Sequence, residues 1–264
     1  MNDITLPGET RVAIAGDLHS SGFWAKTALT RLRRHAPDVR TILHLGDFNL
    51  TANRPWGAYR ETLVKAMAEN GIERILVTPG NHDHWGQLEK RFTLYPDVPY
   101  VLPRAEGILF LPRGYRFTIG RRTFLSFGGA ASPDQENRIE GTNWWPAEEP
   151  THDDAVRALG GGEVDVMLTH EAVDDGTRAV DQIIALPDRR LFSARGLMAS
   201  SRSRALVTSV WDELAAPLLF HGHMHVRAEG HRQDGRTVYS LAANNAAGNI
   251  GVLDLTAMAW RWLD

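Results

Sequence analysis

The chain contains no cysteine, which removes disulfides, thiolate metal ligands and a cysteine nucleophile from consideration. Any metal it holds must be bound through oxygen and imidazole. Long apolar runs are missing as well: none approaches the roughly 20 residues needed to cross a bilayer. Residues 1–10 lack the basic-then-apolar pattern of a secretory leader, so a cytoplasmic location with no membrane partner is the expectation. Nor is there a strong excess of one charge. The net charge is −3, and no global attraction to nucleic acid or an anionic surface is expected. No internal repeat or low-complexity linker interrupts the chain, which predicts one domain over residues 1–264.

What is present is ordinary for a globular protein: 264 residues, 43% hydrophobic and 23% charged, enough to hold a core by burial. Arginine outnumbers lysine, with pairs at Arg33–Arg34, Arg121–Arg122 and Arg189–Arg190. Most of these read as solvated surface, although a guanidinium fork also matches phosphate oxygens.

Short apolar runs read as buried strands, and most of them end at once in a polar cluster. Val12–Ala15 leads into Asp17 and His19, Ile42–Leu45 into Gly46-Asp47, and Ile75–Val77 into Gly80-Asn81-His82-Asp83. Val164–Leu168 ends at Thr169-His170, and Leu218–Phe220 at His221-Gly222-His223-Met224-His225. Trp24–His35 and Tyr59–Asn70 read as helices between the early strands. A further helix is expected to Leu159 with Thr151 as its N-cap, and another over Ser203–Leu214. Gly107–Ile119 with Thr123–Phe127 resembles a β-hairpin, and Thr237–Leu241 and Ile250–Leu255 read as strands. The stretch Asp174–Ser200 has the weakest periodicity and is expected to be a mobile loop, either a flap near the pocket or an oligomer contact. This alternation argues for α/β layers, with ligand sites where such sheets place them, at strand ends.

Each polar cluster alone is weak. Asp17 with His19 is the pattern of a capping Asp beside a surface His, and Gly46-Asp47 that of an ordinary turn. His223 and His225 need only share one face of a strand. Five clusters in order, each just beyond an apolar run and each offering oxygen or imidazole donors, are another matter. Such a set suits a borderline or hard divalent ion.

The order Asp17/His19, Asp47, Asn81/His82/Asp83, His170 and His223/His225 resembles the calcineurin-like metallophosphoesterase superfamily, over residues 11 to about 226. The resemblance implies an α/β fold of two mixed β-sheets sandwiched between outer helices. It implies one metal ion bound by Asp17, His19, Asp47 and His225, and a second bound by Asp47, Asn81, His170 and His223. Manganese is the leading expectation, with iron, zinc and nickel open. Asp47 would bridge the pair, and a bridging hydroxide would attack a phosphate ester in line. His82 would protonate the leaving oxygen, with Asp83 beside it as the second catalytic candidate.

The sequence departs from the phosphoprotein phosphatase branch, where Gly-Asp continues to an Asp and an Arg. Here Leu50 and Thr51 stand at those positions. A phosphodiester or nucleotide substrate is therefore favoured over a phosphomonoester or a phosphoprotein. Arg54, His84 and Arg138 are candidate substrate contacts. Asn143-Trp144-Trp145-Pro146 reads first as a packed loop and second as a stacking platform for a base. A nuclease using the same centre is the alternative, disfavoured because no basic track accompanies the clusters. A non-catalytic scaffold should have lost ligands, and none is lost here. The sequence leaves the oligomeric state open.

Overall fold

The computed structural model describes residues 2–49 and 56–263. Two seven-stranded mixed sheets pack face to face, with helices on both outer faces. In the first sheet the spatial order is β14 (Ala259–Trp262), β13 (Ile250–Asp254), β2 (Arg11–Ala15), β3 (Thr41–His44), β4 (Arg74–Val77), β6 (Ile108–Phe110) and β5 (Tyr100–Val101). In the second it is β1 (Asn2–Asp3), β7 (Tyr115–Ile119), β8 (Arg122–Phe127), β9 (Val166–Thr169), β10 (Leu218–His221), β12 (Thr237–Ser240) and β11 (Ala228–His231).

The central strands are parallel and apolar on both faces, as strands covered on both sides must be; Val12–Ala15 are all fully buried. Between the sheets, Ile14, Leu43 and Leu76 meet Phe117, Phe124 and Phe220. Helices α1 (Gly22–His35), α2 (Trp56–Asn70) and α3 (Trp85–Leu94) cover the first sheet with Leu29, Leu63 and Leu88. Helices α4 (His152–Leu159) and α6 (Ala194–Leu214) cover the second with Ala155, Val207 and Trp211. Among the described residues no helix is long and apolar enough to cross a membrane.

Capping fixes the helix ends near the site. Ser21 Oγ accepts from the Trp24 amide at 3.1 Å and starts α1. Thr151 and Asp154 form a reciprocal capping box that starts α4, as the hydroxyl–carboxylate spacing predicts.

Two expectations are corrected. The expected hairpin forms, but only Tyr115–Ile119 is its first arm, paired antiparallel with Arg122–Phe127. Pro112 has no amide to give a ladder and Gly114 takes φ +77°, so the chain breaks there. β6 stays beside β4 in the first sheet, whereas β7 crosses to the second and lies between β1 and β8. The segment Asp174–Ser200 is not a featureless loop: it holds α5 (Arg178–Ala185) and the first turns of α6. Thr177 and Ser193 cap those helices through their hydroxyls, and both starts lie ahead of the apolar periodicity.

Candidate metal centre

Strand register assembles the site. Ala15, His44 and Val77 stand level across β2, β3 and β4, so Asp17, Asp47 and Asn81 emerge together from one edge of the first sheet. In the second sheet Leu168 is level with Phe220, and His170, His223 and His225 follow. The two edges meet. His170 Nε2 lies 3.3 Å from Asp47 Oδ1, and His225 Nε2 lies 2.8 Å from Asp17 Oδ2.

Asp17, His19, Asp47 and His225 each offer one ligand atom, all within 4.8 Å of one another. The His19 and His225 Nε2 atoms are 3.2 Å apart. Beside them, His170 Nε2 is 2.9 Å from Asn81 Oδ1, and the His223 ring centroid is 5.0 Å from that of His170. His170 Nδ1 is 2.6 Å from the Leu45 carbonyl; it donates there, which leaves the Nε2 lone pair for a ligand role. Asn81 is oriented the same way, its Nδ2 donating to Ser132 Oγ at 2.9 Å, so Oδ1 faces the centre. All seven residues predicted as ligands are thus brought to one place.

The donor chemistry fits divalent cations. Asp17 and Asp47 are buried, and the partners that reach them as ion pairs are imidazoles rather than lysine or arginine. Burial alone would raise both carboxyls, but His170 and the surrounding imidazoles outweigh it and hold both below the ordinary range. Burial pushes His223 down to about 3, so its ring is neutral, the form that ligates. Among the described residues no aligned donor reaches Asp17 Oδ2, although His225 Nε2 and His19 Nε2 stand 2.8 and 3.7 Å from it. Such an atom, buried and charged, calls for a cation.

The backbone is shaped to the same end. His19, Asp47, His223 and His225 have φ between +46° and +65°, a left-handed conformation that non-glycine residues adopt at a cost and that clusters at functional sites. Gly80 lies so close to Asp47 that a Cβ there would sit 2.3 Å from the Asp47 amide and Oδ1. The glycine before Asn81 is therefore what lets the second and third loops touch.

His82 is half-buried next to the centre. Its amide donates to Asp47 Oδ1 at 2.8 Å, and its Nε2 lies 3.8 Å from Asp47 Oδ2. Burial holds its imidazole below the usual range, with Arg138 acting in the same sense and Asp47 against. Arg138, from a distant loop, places its Nη1 2.9 Å from His82 Nδ1 and its Nη2 3.2 Å from His82 Nε2. Asp134 clamps that guanidinium through Nε and Nη2 at 2.8 and 2.9 Å.

The other candidates fare differently. Asp83 is fully buried, its two oxygens accepting from the amides of Asn49 and Gly80, each at 2.8 Å; it ties loops rather than facing the reacting space. His84 caps α3 by accepting from the Gln87 amide at 3.1 Å, and its ring stacks on the buried Trp145 at 4.5 Å. His84 thus serves as a helix cap, and Trp145 belongs to the packing. Arg54 lies outside the described residues. His44 and His221 are buried, with burial pushing them down to about 3 and about 4, while His35, His152 and His231 are exposed.

Two contributors escape the sequence reading. Ser132 holds Asn81, and the buried Glu148 holds the Ser132 amide at 2.7 Å. Nothing local in the sequence marks either. The Asp134–Arg138 pair, by contrast, has the four-residue spacing of a side-chain pair.

Convergent carboxylates and imidazoles on the facing edges of two sheets make a site suited to divalent metal ions. The calcineurin-like phosphoesterase profile matches residues 10–227, and the chain belongs to that family. Solved structures share the fold at low identity. TT1561 of Thermus thermophilus is 14% identical, with TM-score 0.51 over 97% of this chain and 99% of that one. A dimetal phosphatase from Danio rerio is 12% identical, with TM-score 0.52 over 93% and 92%. GAP50, described as the anchor in the inner membrane complex of Plasmodium, is 9% identical, with TM-score 0.50 over 93% and 82%. No curated protein matches the chain in sequence.

Proposed function

We propose that the chain is a cytoplasmic, dinuclear-metal phosphodiesterase, nucleotides being within its substrate range. The observation that carries this reading is the buried Asp17–Asp47 pair, met from the opposite sheet by His170 and His225, with Asp17 Oδ2 lacking an aligned donor among the described residues. Asp17, His19, Asp47 and His225 would hold one ion, and Asp47, Asn81, His170 and His223 the other, manganese being the first choice. Bound there, two divalent ions supply an activated water and positive charge opposite the phosphoryl oxygens.

The chain's own residues do the rest. Asp47 fixes the His82 backbone, and His82 gives its proton to the leaving oxygen. Arg138, held rigid by Asp134, takes a phosphoryl oxygen with the fork that now faces His82. Asp83 acts as a positioning residue, holding the loops after β3 and β4 in contact. The guanidinium of Arg138, fixed by Asp134, suits the single negative charge of a diester, which supports the diester reading.

The test uses metal-stripped protein with manganese restored, assayed on 4-nitrophenyl phosphate and on its bis ester. Manganese-dependent release of nitrophenol, faster from the diester, is expected. A faster monoester would overturn the diester assignment, and no bound metal with no release would overturn the whole reading. Arg138→Ala is expected to raise KM for the diester roughly 10–100-fold, the value of a charge-assisted hydrogen bond. Arg138→Lys should recover only part of it, since an ammonium cannot keep the two-point clamp on Asp134. An unchanged KM in Arg138→Ala would remove Arg138 from substrate binding.

A further inference from the structure

A cleft of about 560 Å³ opens beside the metal centre and shares His223 as a wall with it. Its other walls come from the segment whose weak periodicity suggested a loop: the end of α5, residues 186–193 and the start of α6. Ile183, Ile184, Pro187, Phe192, Leu197 and Met224 face into it. Three of its polar members are held by hydrogen bonds or ion pairs. Arg204 donates to Ser200 at 2.8 Å and to Asp174 at 3.1 Å, and Asp188 is paired with Arg190. Arg189, Ser201 and His223 add polar edges, and the larger share of the lining side chains is apolar.

The same segment carries an unusual share of exposed apolar side chains: Ile183 at 43%, Leu186 at 83%, Leu191 at 59% and Met198 at 62% exposure. Apolar surface gathered next to a reaction centre marks a ligand groove more than chance placement. The wall is also fixed relative to the centre. A Cβ on Gly196 would fall 2.0 Å from the Pro133 carbonyl, so the first turn of α6 lies directly on the Ser132–Pro133 segment. Ser132 is the residue that orients Asn81.

We propose that this cleft receives an apolar, aromatic-sized substituent of the phosphodiester, and so sets the substrate class of the enzyme. The reading rests on the phosphodiesterase assignment above. The volume lies within the ~300–1,000 Å³ of small-molecule sites. A phosphoryl group at His170 and His223 leaves one ester arm to enter the cleft past Met224. There Phe192 and Leu197 replace water around it, a gain that grows with the apolar area buried. A small alkyl arm would leave the cleft wet and gain little.

The experiment compares two diesters with one chromogenic leaving group, methyl 4-nitrophenyl phosphate and 2-naphthyl 4-nitrophenyl phosphate, on manganese-loaded protein. We expect kcat/KM to favour the naphthyl ester by ~10-fold or more, the scale of discrimination that apolar pockets reach. In Leu197→Trp, which fills the cleft, the ratio should fall toward one; Ile184→Trp on the α5 wall serves if that variant does not fold. No preference in the wild type, or a preference that survives the filled cleft, would overturn the inference. If the wild type hydrolyses neither diester, the phosphodiesterase reading falls instead, and 2-naphthol binding to the metal-stripped protein decides the cleft. Saturable binding weakened ~10-fold or more by Leu197→Trp would uphold it as an apolar site, and absence of binding would reject it.

Discussion

Asp47→Asn is expected to lower turnover of bis(4-nitrophenyl) phosphate by roughly a thousandfold or more, with the fold intact. Asp47 reaches both halves of the centre: its ligand atom lies within 4.8 Å of those of Asp17, His19 and His225, and His170 Nε2 is 3.3 Å from its Oδ1. An amide of the same shape can still accept from the His82 backbone, so the loop keeps its path. What disappears is a buried negative charge that His170, His82 and His19 now surround. Metal content should drop from two ions per chain in the same samples, read by elemental analysis, while metal-stripped protein melts somewhat lower, because the imidazoles that hold Asp47 below the ordinary range lose their counter-charge. Wild-type rates in this variant would rule out a shared carboxylate as the heart of the reaction.

Asp83→Ala should act through stability instead. It strips the acceptor from two amides, Asn49 and Gly80, one of them in a fully closed environment. Each stranded donor costs about 1–3 kcal/mol, so urea unfolding should lose about 2–4 kcal/mol. Asp83→Asn keeps an acceptor oxygen and should recover about half of that. Activity should fall as the loops after β3 and β4 part, and it should return in part on lowering the temperature. A variant with unchanged stability and collapsed turnover would place Asp83 in the chemistry rather than beneath it.

The candidate ligands were legible in the sequence because each motif is local: a buried run, then a polar pair within a few residues. The seven positions from Asp17 to His225 converge because parallel register carries that local pattern to a common edge. Residues whose partners lie far along the chain were not legible in the same way. Arg138 meets His82 across 56 positions, and Ser132 meets Asn81 across 51; neither pairing leaves a trace in spacing. The two-sheet arrangement came from the family resemblance, and the switch of sheets at Pro112–Gly114 escaped because a broken run of apolar residues looks like one longer strand. α5 escaped for a related reason. It is only eight residues long, and Asp174-Asp175-Gly176 before it and Leu186-Pro187 after it read as turn material.

The left-handed turns beneath His19, Asp47, His223 and His225 have an evolutionary corollary. Each holds a side chain where glycine or asparagine would sit more comfortably, at about 1–2 kcal/mol per residue. A descendant relieved of the need for turnover would gain robustness by exchanging those four, and drift would reach them early. Ligand positions in such a lineage erode not merely from neglect but downhill. This chain carries all four on that backbone and so holds them against a more relaxed fold.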